Sequence, residues 1–394
     1  MEFRDLKKQY LSNKNEIDNI INDVVMKGTF IGGTPVRQLE LSLADYVGVK
    51  HCISCANGTD ALHLALLALG VGKKDAVFVP DFTFFSTGEV VPLVGATPIF
   101  VDVDYRTYNM SPNSLEKMIR LVLEQGNLSP KAIIAVDLFG QPAEYKSIYN
   151  IARKYNMFVI EDGAQGFGGR IKDSKACSFG DISTTSFFPA KPLGCYGDGG
   201  AVFTNNDEWD SLIRSLCVHG KGNNKYDNIR IGYNSRLDTI QAAILSVKLK
   251  MFEERELIKV NEVAGWYSEM LREVKENITI PVVLPNYYSS WAQYTICFRH
   301  KEMRNEVQQD LANSDIPSMI YYVKPLHKQL AFVDILKGKF LEDLVPNSIM
   351  LSERVLSLPI HPYMEKGDVE FVCNKIKKCI DRRRETSYEK STIN

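Results

Sequence analysis

Between residues 50 and 205 the chain alternates short apolar runs with segments of helical period, and nothing else in the sequence constrains the fold as much. The apolar runs are Cys52-Ile-Ser-Cys55, Ala76-Val-Phe-Val-Pro80, Pro98-Ile-Phe-Val-Asp102, Ala132-Ile-Ile-Ala-Val-Asp137 and Met157-Phe-Val-Ile-Glu-Asp162. Helical patterns fill residues 61–69, 111–124 and 144–154, and Ser111-Pro112 opens the second of them. Strands alternating with helices predict an α/β fold whose sheet is mostly parallel and covered on both faces. In such a sheet the C-terminal strand ends share one edge, and ligands bind along it.

From Arg236 a long helical pattern begins, carried by Leu237, Ile240, Ala243, Ile244, Val247 and Leu249, and runs with interruptions to Met270. Beyond it come a strand-like run at 291–299 and helical patterns at 303–312 and 348–356. These predict a smaller α+β domain, and 394 residues suffice for two cores. The expected division is a large ligand-binding domain over 1–250, including the N-terminal segment, and a small C-terminal domain over 251–394.

The 47 basic and 48 acidic side chains leave a formal charge of −1, which argues against non-specific nucleic-acid binding. The basic cluster Lys375, Lys377, Lys378, Arg382, Arg383 and Arg384 reads as a solvated helix C-terminus. No apolar run approaches the ~18 residues of a membrane span. The N-terminus lacks the apolar stretch of a signal peptide. A cytoplasmic protein with reduced cysteines is therefore expected. Cys52-x-x-Cys55 has no second pair, so no metal site is expected, and a buried strand leading to Gly58 is a better reading than a redox motif.

Three short constellations carry chemistry. Gly58-Thr59-Asp60 opens an apolar helix whose N-terminal amides could take a phosphate, although a plain N-cap gives the same pattern. Asp162 and Gln165 follow a strand end, where an acid can serve a ligand or cap a turn. Lys191 stands between Ser186-Phe187-Phe188, read as an aromatic strand, and a turn containing Gly194, Gly197, Gly199 and Gly200. Desolvation and a nearby cation would lower the pKa of such a lysine, which suits a Schiff base. The glycines fit neither G-x-G-x-x-G nor GxxxxGK[ST], so the Rossmann and P-loop readings fall away. Taken together, the lysine, the acid and the helix start are the parts that hold pyridoxal phosphate (PLP).

Five motifs in order make the pattern more specific. They are Cys55-Ala-Asn-Gly-Thr-Asp-Ala-Leu62, Pro80-Asp-Phe-Thr-Phe-Phe85, Glu161-Asp-Gly-Ala-Gln165, Ser186-Phe-Phe-Pro-Ala-Lys191 and Gly232-Tyr-Asn-Ser-Arg-Leu-Asp238. With them the chain resembles the DegT/StrS-type PLP-dependent sugar aminotransferases, from Phe3-Arg-Asp-Leu-Lys-Lys-Gln-Tyr10 to His361-Pro-Tyr363. The resemblance implies the aspartate-aminotransferase fold (fold type I) with a seven-stranded sheet. It implies that Lys191 carries the Schiff base and moves protons, that Asp162 pairs with the pyridine nitrogen, and that Gln165 meets the ring oxygen. Phe84 would stack on the ring. Gly58, Thr59, Asp60 and Ser186 would form the phosphate site, and Asn234 would reach it from the partner subunit of a homodimer. Arg236 would lie near that shared site.

The same resemblance implies glutamate as amino donor, pyridoxamine phosphate as the intermediate form of the cofactor, and a keto sugar nucleotide as acceptor. Lys324-Pro-Leu-His327 and the stretch after Lys191 are most like the branch that aminates 3-keto sugars of the UDP-2-acetamido-3-keto-glucuronic acid type, for cell-surface glycans such as lipopolysaccharide. That branch typically reads His-Tyr-Pro where this chain has Tyr321-Tyr322-Val323, so a dTDP- or UDP-linked 4-keto sugar, or another 3-keto sugar, stays open. Tyr321, His327 and His361 are candidate substrate contacts. His219-Gly-Lys221 and Lys225-Tyr226 read as a mobile loop near the dimer interface. A dehydratase branch has histidine in place of the Schiff-base lysine, and Lys191 argues against it. A non-catalytic regulatory protein is the alternative from another class.

Overall fold

The computed structural model describes the backbone of residues 1–224, 226–336 and 342–392, so Lys225 of the expected loop lies outside the described residues, as does the side chain of Arg384. The apolar runs form strands. They are β1 (His51–Cys55), β2 (Asp75–Pro80), β3 (Thr97–Val101), β4 (Ser129–Val136) and β5 (Phe158–Asp162). Two more, β6 (Ile182–Ser186) and β7 (Gly200–Thr204), complete a seven-stranded sheet in the order β1-β7-β6-β5-β4-β2-β3. Neighbours from β3 to β6 pair in parallel, and β7 alone runs antiparallel to β1 and β6.

Alternate residues of each strand face opposite layers, and both layers are apolar, which is why the runs are continuous rather than alternating. Val77, Val79, Ile134, Ile160 and Ile182 pack with helix α1 (Gly58–Ala68) on one face. Phe78, Val101, Ile133, Ala135 and Val159 pack with the helices Pro112–Gln125 and Tyr145–Lys154 on the other.

β6 reads Ile-Ser-Thr-Thr-Ser, too polar for an ordinary buried strand. Its hydroxyls are absorbed locally: Ser183 Oγ donates to Glu161 Oε2 at 2.8 Å, and Thr185 Oγ1 to the Gly163 carbonyl at 3.2 Å. The expected aromatic strand at 186–188 is corrected by this. The strand ends at Ser186, and Phe187 and Phe188 lie in the loop that follows.

The long helical pattern begins at Thr239, because Asp238 before it is extended. It comprises α2 (Thr239–Met251), a π-helical segment Phe252–Glu256, and α3 (Leu257–Met270). A second core gathers Val263, Tyr267, Tyr294, Ile296, Val307, Leu356, Val369, Val372 and Ile376. It lies between α3, the helices Lys301–Ala312 and Lys366–Thr392, and a three-stranded antiparallel sheet of Ile278–Thr279, Tyr294–Phe298 and Val355–Leu358. The helix expected over 348–356 stops at Arg354, because Leu356 pairs with Ile296 in that sheet.

No helix among the described residues is long and apolar enough to cross a membrane. All eight cysteines are free and buried. Burial pushes the Cys52 and Cys55 thiols well up, the opposite of what a reactive thiol pair needs.

Candidate active site

The C-terminal ends of β2, β5 and β6 and the N-terminus of α1 share one edge of the sheet, and the expected chemistry collects there. Asp162 ends β5 and is only 6% exposed. Its Oδ2 accepts from Thr87 Oγ1 at 3.0 Å and its Oδ1 from the Ala164 N–H at 3.2 Å. Lys191 lies in the loop after β6, where its N–H donates to the Phe188 carbonyl at 2.8 Å. Burial raises the Asp162 pKa and the Lys191 charge pulls it back. Burial lowers the Lys191 pKa, Asp162 opposes that, and Arg4 adds to it. Both groups are thus held closer to neutrality than in water. A cationic partner for the carboxylate would complete the site, and a protonated pyridine nitrogen is such a partner.

Gln165 is fixed at both ends of its amide. Its Oε1 accepts from the Phe139 N–H at 2.8 Å, and its Nε2 donates to the Tyr322 hydroxyl at 2.9 Å. One amide hydrogen and the Tyr322 hydroxyl hydrogen remain for a ligand. Phe84 is 53% exposed, with its ring 6.3 Å from that of Tyr322.

At the start of α1, Asn57 Oδ1 accepts from the Asp60 N–H at 2.8 Å and caps the helix. Thr59 Oγ1 and Ser86 Oγ are 2.6 Å apart. The Asp60 carboxylate is already committed, since its Oδ2 accepts from Ser235 Oγ at 2.6 Å. A Cβ at residue 58 would stand 2.7 Å from Ser186 Cβ, and one at residue 200 would stand 2.4 Å from the Asn57 carbonyl oxygen. The helix start is therefore pressed directly against β6 and β7. Gly58→Ala is expected to force these elements apart, costing about 1–3 kcal/mol of stability. It should also weaken PLP binding, read by thermal melts with and without PLP.

Ser235 is fully buried and ties its segment to α1, whereas Asn234 and Arg236 on either side are exposed. Arg236 Nη2 donates to Asn234 Oδ1 at 2.5 Å. The Tyr321 ring lies 5.6 Å from Tyr322 and 6.2 Å from Phe3. His327 is 9% exposed and pairs with fully buried Asp81: its N–H donates to Oδ1 at 2.8 Å, and Nδ1 stands 2.7 Å from Oδ2. His361 is buried, which lowers its pKa to about 4, and its Nδ1 accepts from the Tyr363 N–H at 3.3 Å. In the 219–226 loop Lys221 bridges to Asn228.

The profile of the DegT/DnrJ/EryC1/StrS aminotransferase family matches residues 11–377. The chain belongs to this family. Among relatives of this aminotransferase, UDP-2-acetamido-2-deoxy-3-oxo-D-glucuronate aminotransferase of Pseudomonas aeruginosa is 45% identical, over 95% of this chain and 98% of its own. A pleiotropic regulatory protein of Geobacillus stearothermophilus is 38% identical over 94% and 96%. UDP-N-acetyl-3-dehydro-α-D-glucosamine 3-aminotransferase of Acidithiobacillus ferrooxidans is 38% identical over 95% and 97%. A DegT/DnrJ/EryC1/StrS aminotransferase from Brucella abortus, a crystal structure, superposes with a TM-score of 0.90 at 45% identity, over 96% of this chain and 99% of its own.

The family is PLP-dependent, and the residues present fit that cofactor: a desolvated lysine, a buried carboxylate and a glycine-lined helix start meet at one edge. Sequence reasoning missed Thr87, Tyr322 and Ser235, whose partners lie far away in the chain. Tyr322 stood beside the flagged Tyr321, and its buried hydroxyl is the one that reaches Gln165.

Proposed function

We propose that this aminotransferase moves an amino group from glutamate to the C3 keto group of a UDP-linked 2-acetamido-3-keto sugar, with the glucuronic acid as first candidate, for cell-surface glycan synthesis. The observation that carries the sugar is full-length 45% identity to an aminotransferase named for that compound. Tyr321-Tyr322-Val323 in place of His-Tyr-Pro favours a second reading, a 3-keto or 4-keto sugar nucleotide without the carboxylate. Glutamate-dependent amination of a panel of 3-keto and 4-keto sugar nucleotides decides between them. Activity on none would overturn the sugar assignment.

In this reading each side chain has one task. The bound cofactor supplies an electron sink. The Asp162 carboxylate, held by Thr87 and Ala164, keeps the pyridine nitrogen protonated. The Lys191 amine, kept close to neutrality, takes the proton from the carbon that bears nitrogen and returns it. Gly58, Thr59, the first amides of α1 and Ser186 hold the phosphate, while Asp60 steadies the helix start through Ser235. Gln165 and Tyr322 offer their free hydrogens to the ring oxygen, and Phe84 covers one ring face. Tyr321 and His327 border the sugar side, the latter through its Asp81-anchored loop. The separate core of residues 260–380 supports a large domain over 1–250 and a small one over 251–394.

Asn234 and Arg236, exposed beside buried Ser235, are assigned to the partner's site in a homodimer. Mixing Lys191→Ala with Asn234→Ala subunits should then restore about a quarter of the sites on random two-fold pairing. No recovery of activity would place Asn234 elsewhere.

A further inference from the structure

Burial is the main cause of the lowered Lys191 pKa, and a cation from an unexpected place in the chain adds to it. Arg4 lies 187 residues away in the chain. Its Nη2 donates to the Lys191 carbonyl at 3.0 Å and to the Pro192 carbonyl at 3.4 Å. The other backbone anchors of the Lys191 loop are the Lys191 N–H to Phe188, the Phe187 N–H to Gly199 at 2.7 Å, the Cys195 N–H to Phe187 at 2.8 Å, the Phe188 N–H to Ser186 Oγ at 3.3 Å and the Tyr196 N–H to Gln241 Oε1 at 2.8 Å. Arg4 thus grips the residues at the tip, where Lys191 leaves the backbone.

The segment that carries Arg4 is itself fixed on both sides. The Phe3 carbonyl accepts from the Ile360 N–H at 3.3 Å. Asp5 caps the helix Leu6–Leu11. Gln9 Nε2 donates to both oxygens of buried Glu256 at 3.1 Å, and the Tyr363 hydroxyl also donates to Glu256. Burial lowers the Arg4 pKa and Glu256 and Tyr363 oppose that, and a guanidinium starts from so high a value that it stays charged near neutral pH.

We infer that Arg4 is a positioning residue for Lys191: it fixes the Lys191–Pro192 backbone and holds a permanent positive charge beside the reactive amine. The inference rests on the reading of Lys191 as the Schiff-base lysine. The charges that bear on that amine are Asp162 from β5, which favours the ammonium form, and Arg4, which opposes it. Glu256 and Tyr363 favour the charged form of Arg4, and Lys248 and His361 also feel its charge. Burial and Arg4 together favour a neutral amine, which is the form that attacks a carbonyl.

The test is the rate at which apoenzyme and PLP form the Schiff base, followed by absorbance across pH and confirmed by borohydride reduction onto the Lys191 peptide. In Arg4→Gln, which loses the charge, the midpoint of the pH–rate curve should move up by about one unit, so that the rate near pH 7 falls about tenfold. In Arg4→Lys, which keeps the charge and loses the two-pronged grip, the midpoint should stay while the rate falls at every pH. An unchanged midpoint in Arg4→Gln, or equal midpoint shifts in both variants, overturns the inference. If Arg4→Gln does not fold, a shifted midpoint in Arg4→Lys overturns it alone. Wild-type enzyme that forms no Schiff base at Lys191 would instead overturn the underlying reading of the lysine.

Discussion

Lys191→Ala is expected to bring turnover down by at least about 10³-fold, because in the proposed mechanism it removes both the covalent attachment and the group that moves the proton. The fold should survive. The hydrogen bonds of residue 191 are made by its backbone, to Phe188 and from Arg4, and alanine keeps both. The pH dependence of stability gives an independent signature. Burial, above all, holds the folded pKa of Lys191 below the ordinary lysine value of 10.5. Between that lowered value and 10.5 the unfolded chain binds the extra proton, so wild-type apoenzyme gains stability as pH rises through the window. The alanine variant lacks this contribution, and its melting temperature should rise less over the same range. Single-turnover reaction with glutamate, borohydride labelling and apoenzyme melts check the three parts. A variant retaining a tenth of wild-type turnover would remove Lys191 from the chemistry.

The sequence made the sheet legible where its physics is local and obscured it where the physics is distant. β2 to β5 are continuous apolar runs because both faces of each strand are covered, and they read correctly to within a few residues. β6 hid behind its hydroxyls, whose acceptors, Glu161 and the Gly163 carbonyl, are about twenty residues away. The boundary near 355 failed because the helical periodicity of Ser348 to Leu356 is outvoted by the pairing of Leu356 with Ile296. In the site, residue type singled out Lys191, while Asp162 and Gly58 gained their roles only from the family resemblance of the motifs around them. Thr87 and Tyr322 were not, because a lone hydroxyl reveals its partner only after the chain has folded. Arg4 is the extreme case: a cation near Lys191 is one way to lower its pKa, and the one present comes from the far end of the chain.

Asp162→Asn should separate catalysis from stability. The amide is isosteric, and the local network can reverse to accept it. Asn Oδ1 still accepts from the Ala164 N–H, its Nδ2 donates to Thr87 Oγ1, and Thr87 turns its proton towards Thr83 Oγ1, 3.3 Å away. No buried polar atom need lose its partner. Activity is another matter, because an amide cannot hold the pyridine nitrogen protonated. Loss of one preorganised electrostatic group of this kind costs about 10²–10³ in kcat. For the apoenzyme the sign is opposite. Burial raises the folded pKa of Asp162 above the ordinary aspartate value of 3.8, so the folded state binds the extra proton between 3.8 and the raised value. Stability contributed by the protonated group is therefore lost as pH rises through that window, and above it the buried charge is a burden. Asn carries no such burden. The variant's apoenzyme should melt at or above the wild-type temperature near neutral pH, and the difference should shrink as pH falls towards 3.8. Near-wild-type turnover would remove Asp162 from its assigned role, and a lower melting temperature near neutral pH would show that its carboxylate supports the fold.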